Sequence, residues 1–491
     1  MEKCGILLPI FALPNKYGIG ALGKQAYRFI DFLKTAKQDY WQFLPTNPTS
    51  YGDSPYQSFS CYAQNPYFID LDLLVLDKLL TKKDLKESNL INKTQYIDYG
   101  NIFINKIKLL KKAYKKHYLY NKEFNSFKRN NKWLLDYALF MVLKEKNNYK
   151  CWNEWEDDYK FRNKKALKNF YKLNKDEVES YMFMQFLYKR QWQNMLRYAH
   201  KNKIKLIGDM PIYVAYDSVD VWSNPSLFML DENYNPTMVA GVPPDYFSTT
   251  GQLWGNPLYN YDNMKNDNYS WWVNRIRYAL KQTDYVRIDH FRGFSAYYAI
   301  PYGNDNAING KWIKGPGMDL FNCINEQIRN PKIIAENLGL LDDDVYDLIK
   351  KTNYPGMRII EFEMYSKENI EKLKKENPNN ILYPGTHDNN TFVSWYNEDA
   401  SIIEKENINV ELKCNKRTNI TNQLIKYCYS FPFKYVIIMM QDILGYDKKA
   451  RFNIPGSSSN NWTFMFKKSD FNKKVALKLK KIKVKSKIAS N

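Results

Sequence analysis

The sequence predicts an α/β fold: a (β/α)8 (TIM) barrel with helical and loop insertions, chiefly between strands 2 and 3. Three observations carry this prediction. Short apolar runs recur along the 491 residues with helical patterns between them, as repeated βαβ units require. The runs are continuously apolar rather than alternating, which marks strands buried on both faces. Several end in a polar or charged residue, and barrels of this kind place their chemistry at the C-terminal ends of strands.

The first run, Gly5–Pro9, lies in GILLPIFALP, which has the apolar character of a signal peptide. Two prolines interrupt that stretch, only Lys3 supplies basic charge before it, and no A-x-A cleavage site follows closely. It therefore reads as a buried first strand. A helical pattern at Ala21–Lys34 leads to the second run, Tyr40–Pro45, and another at Met182–Lys201 leads to the third, Lys205–Asp209. About 160 residues separate the second and third runs, so residues 46–203 contain an inserted, largely helical subdomain. Its Lys/Asn/Tyr-rich part, from Thr81 to Lys175, reads as peripheral. The remaining runs are Tyr285–Asp289, Lys332–Glu336, Met357–Phe362, Ile381–His387 and Tyr435–Gln441. Residues 467–491 form a Lys-rich helix or tail, in which Val475, Leu477, Leu479 and Ile482 only loosely fit an amphipathic helix. The length alone would suggest about three domains, but a single barrel with insertions, spanning 1–491, is the known exception.

The formal charge of +21 could indicate a nucleic-acid or membrane partner. Its distribution argues otherwise: ten Lys face one acid between Lys467 and Lys487, more Lys lie between Lys106 and Lys132, and no Arg-rich groove accompanies either stretch. Solvated helical faces explain both, so neither nucleic acid nor membrane is expected as a partner. Six Cys are scattered along the chain without CxxC pairs, which fits reduced thiols in a cytoplasmic enzyme better than a disulfide scaffold or a zinc site. No metal and no cofactor are expected. Aromatic residues make up 16% of the chain, with 40 Tyr and 12 Trp. Biased base composition, which enriches Lys, Asn, Ile and Tyr together, accounts for most of that count. A role in stacking on sugars is kept for specific positions.

Three strand ends carry an acid: Asp289 after VRI, Glu336 after IIA, and Asp388 in LYPGTHD. The barrel would bring them to one mouth. Glycosyl transfer needs such a set, because the anomeric carbon becomes cation-like in the transition state. One carboxylate can attack that carbon and form a covalent glycosyl-enzyme. A second, protonated carboxyl donates to the departing oxygen and later takes a proton from the acceptor. Arg287 lies two residues before Asp289, on the same face of an extended strand, and is placed to keep it ionised.

The segments YVRIDHFRGF (Tyr285–Phe294), IIAENLG (Ile333–Gly339) and PGTHDNNT (Pro384–Thr391) resemble the signature regions of the amylomaltase, or disproportionating-enzyme, family. This is glycoside hydrolase family 77, within the α-amylase clan. The opening GILLPIFALPNKYGIGALG agrees, as do FLPTNPTSYGDSPYQSFS, GDMPIYVAYDSVDVW, AGVPPDYFSTTGQLWGNPLY and QDILGYDKKARFNIPG. The resemblance runs in order from residue 5 to about residue 462. It implies a 4-α-glucanotransferase acting on maltooligosaccharides and α-1,4-glucans, with glucose as an acceptor. It implies Asp289 as nucleophile, Glu336 as general acid/base and Asp388 as a third carboxylate that binds sugar hydroxyls and favours the distorted ring. Arg287 and His387 would flank the donor glucose, and Asp209 and Asp217 would shape the sugar site. Tyr51, Ser54 and Tyr56 would sit on a donor-side loop. Asp245, Gln252 and Trp254 would lie on a loop that closes over substrate. The family pattern N-W-x-W-R is broken here, with Phe464 and Met465 in its last two positions.

Simpler roles stand beside these. Asp209 could cap a barrel layer, His290 could make a structural hydrogen bond, and Trp254 could pin a loop. A clan hydrolase needs the same three carboxylates and differs in admitting water, whereas the long Pro/Gly/aromatic loop from Ala240 favours transfer. A non-catalytic glycan-binding protein is the remaining alternative, and all three acids stand against it.

Overall fold

The structure is a computed structural model that describes residues 3–50, 52–244, 248–339, 341–415, 418–457 and 460–488. Eight parallel strands form the barrel: β1 (Lys3–Leu7), β2 (Tyr40–Gln42), β3 (Lys205–Met210), β4 (Tyr285–Ile288), β5 (Ile333–Ala335), β6 (Met357–Ile359), β7 (Ile381–Tyr383) and β8 (Tyr435–Met439). Their order is β6-β7-β8-β1-β2-β3-β4-β5. The ladder is open between β5 and β6, where two other bonds close the barrel. Ala335 N–H donates to Pro355 O at 2.9 Å, and Met357 N–H donates to the Asn337 side-chain oxygen at 2.7 Å.

Each strand overlaps its predicted run, and most stop earlier; β1 begins two residues before its run, at Lys3, and β3 ends one residue after its run, at Met210. Phe43, Leu44 and Ile360 continue the apolar pattern past β2 and β6 because the bases of the mouth loops are buried too. Burial, not strand pairing, sets the length of the apolar run. Inside the barrel, Tyr40, Tyr285 and Tyr435, the first residues of β2, β4 and β8, meet edge to face with ring centroids 5.6–6.2 Å apart. Alternate strands thus supply one filled layer. Gly5 on β1 makes room for it: a Cβ there would lie 2.6 Å from the Tyr40 Cβ.

The insertion between β2 and β3 carries helices Tyr99–Tyr114, Asn121–Asn130, Trp133–Lys146 and Lys164–Leu173 before Lys175–Lys201 leads back to the barrel. A second excursion differs from the sequence expectation. The stretch Ala240–Tyr259 reads as a loop in sequence, yet Met238–Val242 and Gln252–Pro257 form antiparallel strands that join Ala296–Pro301 and Lys311–Lys314 in a four-stranded sheet. Gly and Pro in these strands weaken the period-2 signal that would reveal them.

The Lys-rich end also packs more closely than its pattern suggests. Helix Lys473–Ile488 buries Ala476, Leu479 and Ile482, and Lys483 reaches Asp39 at 3.1 Å. Leu477 remains exposed. Among the described residues no helix is long and apolar enough to cross a membrane.

Candidate active site

The ladder register builds the site. Asp209 on β3 pairs with Arg287 on β4, so their side chains emerge side by side on one face. Arg287 Nη1 donates to Asp209 Oδ1 at 2.8 Å and to Oδ2 at 2.9 Å, while Nη2 reaches Asp289 Oδ1 at 2.9 Å. The bonding pattern continues one residue past the strands and fixes both acids. Asp289 N–H donates to Met210 O at 3.0 Å, and Glu336 N–H donates to Ile288 O at 3.1 Å.

Glu336 is 8% exposed. Its Oε2 accepts from His290 N–H at 2.7 Å and its Oε1 from Leu338 N–H at 2.7 Å. His290 aims its amide this way from a left-handed backbone, φ 52°, a conformation that costs a non-glycine residue about 1–3 kcal/mol and gathers at functional sites. Its side chain corrects the expectation of a structural hydrogen bond. Nε2 has no hydrogen-bond partner, and the ring meets Trp254 edge-on at 4.9 Å. Burial, with Arg292 nearby, holds this imidazole down to about 3, so it is neutral.

Burial first, then the Asp289 charge, pushes the Glu336 carboxyl up to about 7, against the pull of Arg287 and the two amides. Burial also raises Asp289, with Arg287 pulling it back and Asp209 and Asp388 adding to the rise. Two carboxyls that repel each other share a proton unequally. Arg287 touches Asp289 alone of the two, so the proton rests on Glu336 and Asp289 carries the charge.

On the other wall, Tyr56 links three strands. Its hydroxyl lies 2.7 Å from Asp209 Oδ2 and 2.8 Å from His387 Nε2. The carboxylate can only accept, so the phenol donates to Asp209 and His387 Nε2–H donates to the phenol. The Tyr56 and His387 rings stack at 5.2 Å, and Trp462 leans on both. His387 Nε2 also lies 3.3 Å from Asp388 Oδ2. Asn453 Nδ2 donates to Asp388 Oδ1 at 2.6 Å, and Arg451 Nη2 to its backbone oxygen at 2.8 Å.

Tyr56, Asp289, His387 and Asp388 face one cleft of about 1110 Å³, lined also by Ser54, Gln252 and Trp254 among others, while Glu336 is buried behind the His290 amide. Gln252 and Trp254 are strand residues rather than loop residues, and the indole N–H donates to Gln252 Oε1 at 3.1 Å. Two sequence assignments are corrected. Asp209 has a fully buried side chain, spent on Arg287 and Tyr56, and supports the site from below. Asp217 is elsewhere: it pairs with the buried Lys144 of the helical insertion and accepts from Trp152 N–H. Tyr51 and Asp245 lie outside the described residues. Phe464 and Met465 are buried, with Phe464 paired to Tyr96, so the broken motif is part of the core.

Sequence reasoning missed Tyr213, Asn453 and Trp462, which also line the cleft. Asn453 lies well past the end of β8, in the stretch QDILGYDKKARFNIPG, so that motif rather than the strand-end rule could have pointed to it. Among the described residues, no group of three or more His, Cys, Asp or Glu is arranged to hold a metal ion.

Residues 8–470 match glycoside hydrolase family 77, described as 4-alpha-glucanotransferase. The chain is similar to a 4-alpha-glucanotransferase of Clostridium butyricum, 44% identical over 96% of this chain and 97% of that protein. It is 37% identical to one of Thermus thermophilus, over 94% of each chain. Among solved structures it resembles an amylomaltase from Streptococcus agalactiae in complex with acarbose, with TM-score 0.96, 36% identity and 99% of each chain covered. An amylomaltase from Corynebacterium glutamicum, 16% identical with TM-score 0.80 over 98% of this chain and 75% of that one, shares the fold.

Proposed function

The chain belongs to the 4-alpha-glucanotransferase family, glycoside hydrolase family 77, and acts on α-1,4-glucans by transglycosylation; we propose that Asp289, Glu336 and Asp388 carry the reaction. The observation behind the proposal is the unequal pair: Asp289 held by Arg287, and Glu336 protonated close to neutral pH. Asp289 attacks the anomeric carbon of the donor while Glu336 gives its proton to the departing glycosidic oxygen. Glu336, now ionised, takes the proton of an incoming sugar hydroxyl, which attacks the glycosyl-enzyme and releases Asp289. Two displacements at one carbon retain the α-configuration. Asp388 and His387 would hold the donor ring, and Tyr56 would offer it a stacking face. Glucose and longer glucans serve as acceptors. The whole chain works as one catalytic barrel with the helical insertion at 46–203, and six free thiols fit a cytoplasmic location.

A bound acceptor must beat concentrated water to the glycosyl-enzyme, and proximity and orientation supply that advantage. Trp254 offers the acceptor a face beside His290. Maltotriose alone should give glucose and a ladder of longer maltooligosaccharides on product separation. Trp254→Ala should lower transfer relative to hydrolysis by about 10-fold as acceptor orientation is lost. If the wild type makes only shorter sugars while reducing ends grow steadily, it is a hydrolase and the transfer reading is wrong.

The proton on Glu336 sets a pH limit. A carboxyl raised to about 7 is mostly protonated below that pH and loses its proton above it. With natural glucans, kcat/KM should therefore fall on the alkaline side with a midpoint near 7. A glycosyl fluoride, whose leaving group needs little protonation, should show no such limb in the glycosylation step. A limb identical for both donors would separate it from Glu336.

A further inference from the structure

We propose that Glu361 and Asp442 are positioning residues: a buried carboxyl pair that grips the segment 384–392 from both sides and holds His387 and Asp388 at the donor sugar. This rests on the function proposed above. The segment follows β7, and the pair comes from the neighbouring strands, Glu361 just beyond β6 and Asp442 just beyond β8. Glu361 is 2% exposed and Asp442 1%. Glu361 N–H donates to Pro384 O at 3.1 Å, at the start of the segment. Phe392 N–H donates to Asp442 Oδ1 at 2.9 Å, at its end. The Glu361 carboxyl lies flat against the chain at Gly385, where a Cβ would come within 2.8 Å of Oε1. A side chain at this position would displace the carboxyl.

The pair has more acceptors than donors. Neither Glu361 oxygen nor Asp442 Oδ2 meets a hydrogen-bond partner, and the same holds for Thr391 Oγ1 and Gln441 Oε1 alongside. The Asn389 amide stands near Glu361 and pulls its carboxyl down only weakly. The other groups facing the pair are Asp399, which accepts from Asn390 at 2.9 Å, the Cys428 thiol and Arg451. Among the described residues Arg451 is the cation that faces Glu361, and it already serves the Asp388 backbone. It also faces Asp399, Asp388 and Glu361. Asp388 and Asp399 reach solvent, whereas Glu361 and Asp442 are buried without a cation of their own, so protons neutralise them. Burial, with Asp442 and Asp399 adding to it, pushes Glu361 well above its ordinary range, and burial pushes Asp442 up to about 7. Each proton removes a buried charge. Losing them puts like charges behind the segment that carries Asp388.

Two measurements test this. Glu361→Ala takes the carboxyl away from Gly385 while keeping the backbone bond to Pro384, and Glu361→Gln keeps the shape with a neutral donor. In transfer from maltotriose, Glu361→Ala should lower kcat by about 10-fold or more, with a smaller change in KM, because small misplacements of catalytic groups act on the transition state. Glu361→Gln should restore kcat to within about 3-fold of wild type per folded molecule. A merely structural role would lower the yield of folded protein and leave kcat per molecule unchanged. The second measurement needs no reaction. A carboxyl raised in the folded state gives stability that is lost as pH rises through its folded value. The wild-type Tm should therefore drop between about pH 5 and pH 8, and Glu361→Gln and Asp442→Asn should drop less. Equal kcat for Glu361→Ala and wild type, or parallel Tm profiles for all three proteins, would overturn the pairing. An inert wild type with diverging Tm profiles would instead refute the proposed function and leave the buried pair standing.

Discussion

Glu336→Gln should lower kcat on maltotriose by about 10²–10⁴-fold, the usual worth of general acid–base help, and Asp289→Asn should cost at least as much. The two losses differ in kind, and an activated donor separates them. A glycosyl fluoride expels its leaving group with little protonation, so it should still glycosylate Glu336→Gln and accumulate a covalent intermediate. Asp289→Asn has no anionic nucleophile and should give no adduct with any donor. The geometry supports the proposed division of roles. Asp289 touches the Arg287 guanidinium at 2.9 Å, and Glu336 touches only backbone amides. Mass spectrometry of the trapped enzyme reads the result directly. A labelled sugar on a residue other than Asp289 would overturn the assignment.

Arg287→Met should be nearly as damaging, through charge rather than contact with the reacting atoms. The Arg287 side chain is 4% exposed and holds Asp209 and Asp289 together. Removing one partner of a buried ion pair typically costs about 3–5 kcal/mol, because a buried charge is left uncompensated. With the guanidinium gone, burial and the Asp209 charge both favour a protonated Asp289. A neutral carboxyl is a poor nucleophile, so kcat should fall by about 10²-fold or more even in molecules that remain folded. Arg287→Lys should recover part of the stability but less of the activity, since one ammonium cannot match a planar fork that serves two carboxylates. Tm and pre-steady-state adduct formation read the two effects separately. Wild-type turnover in Arg287→Met would remove Arg287 from the mechanism.

Much of the site was legible because its residues follow β-strands. A strand buried on both faces must be continuously apolar, and the first acid beyond it stands out, as with Asp289 after Ile288 and Glu336 after Ala335. Asp388 was harder, lying five residues past Tyr383, and its motif carried it. Asp209 and Asp217 look alike in sequence, both acids in the stretch GDMPIYVAYDSVDVW that begins on β3. Only packing separates them. Asp209 turns inward to Arg287 and Tyr56, while Asp217 meets Lys144, 73 residues earlier in the chain. Aromatic content was ambiguous for the same reason: Tyr40, Tyr137, Tyr188, Tyr259, Tyr383 and Tyr429 fill the core, and Tyr56 faces the cleft.

The sequence by itself determined the barrel, the order of its strands along the chain and the three carboxylates, because local periodicity and strand-end position are properties of short segments. Tertiary structure alone decided the burial of Glu336 that raises its carboxyl, whereas the reach of Arg287 to Asp289 was already expected from their two-residue spacing. It also turned the stretch around Trp254 into a strand of a separate sheet and placed Glu361 against Gly385. These outcomes depend on packing between strands and loops that are neighbours in space but not in sequence. Charge interactions and desolvation fall steeply with distance in space, and no window of sequence contains those distances.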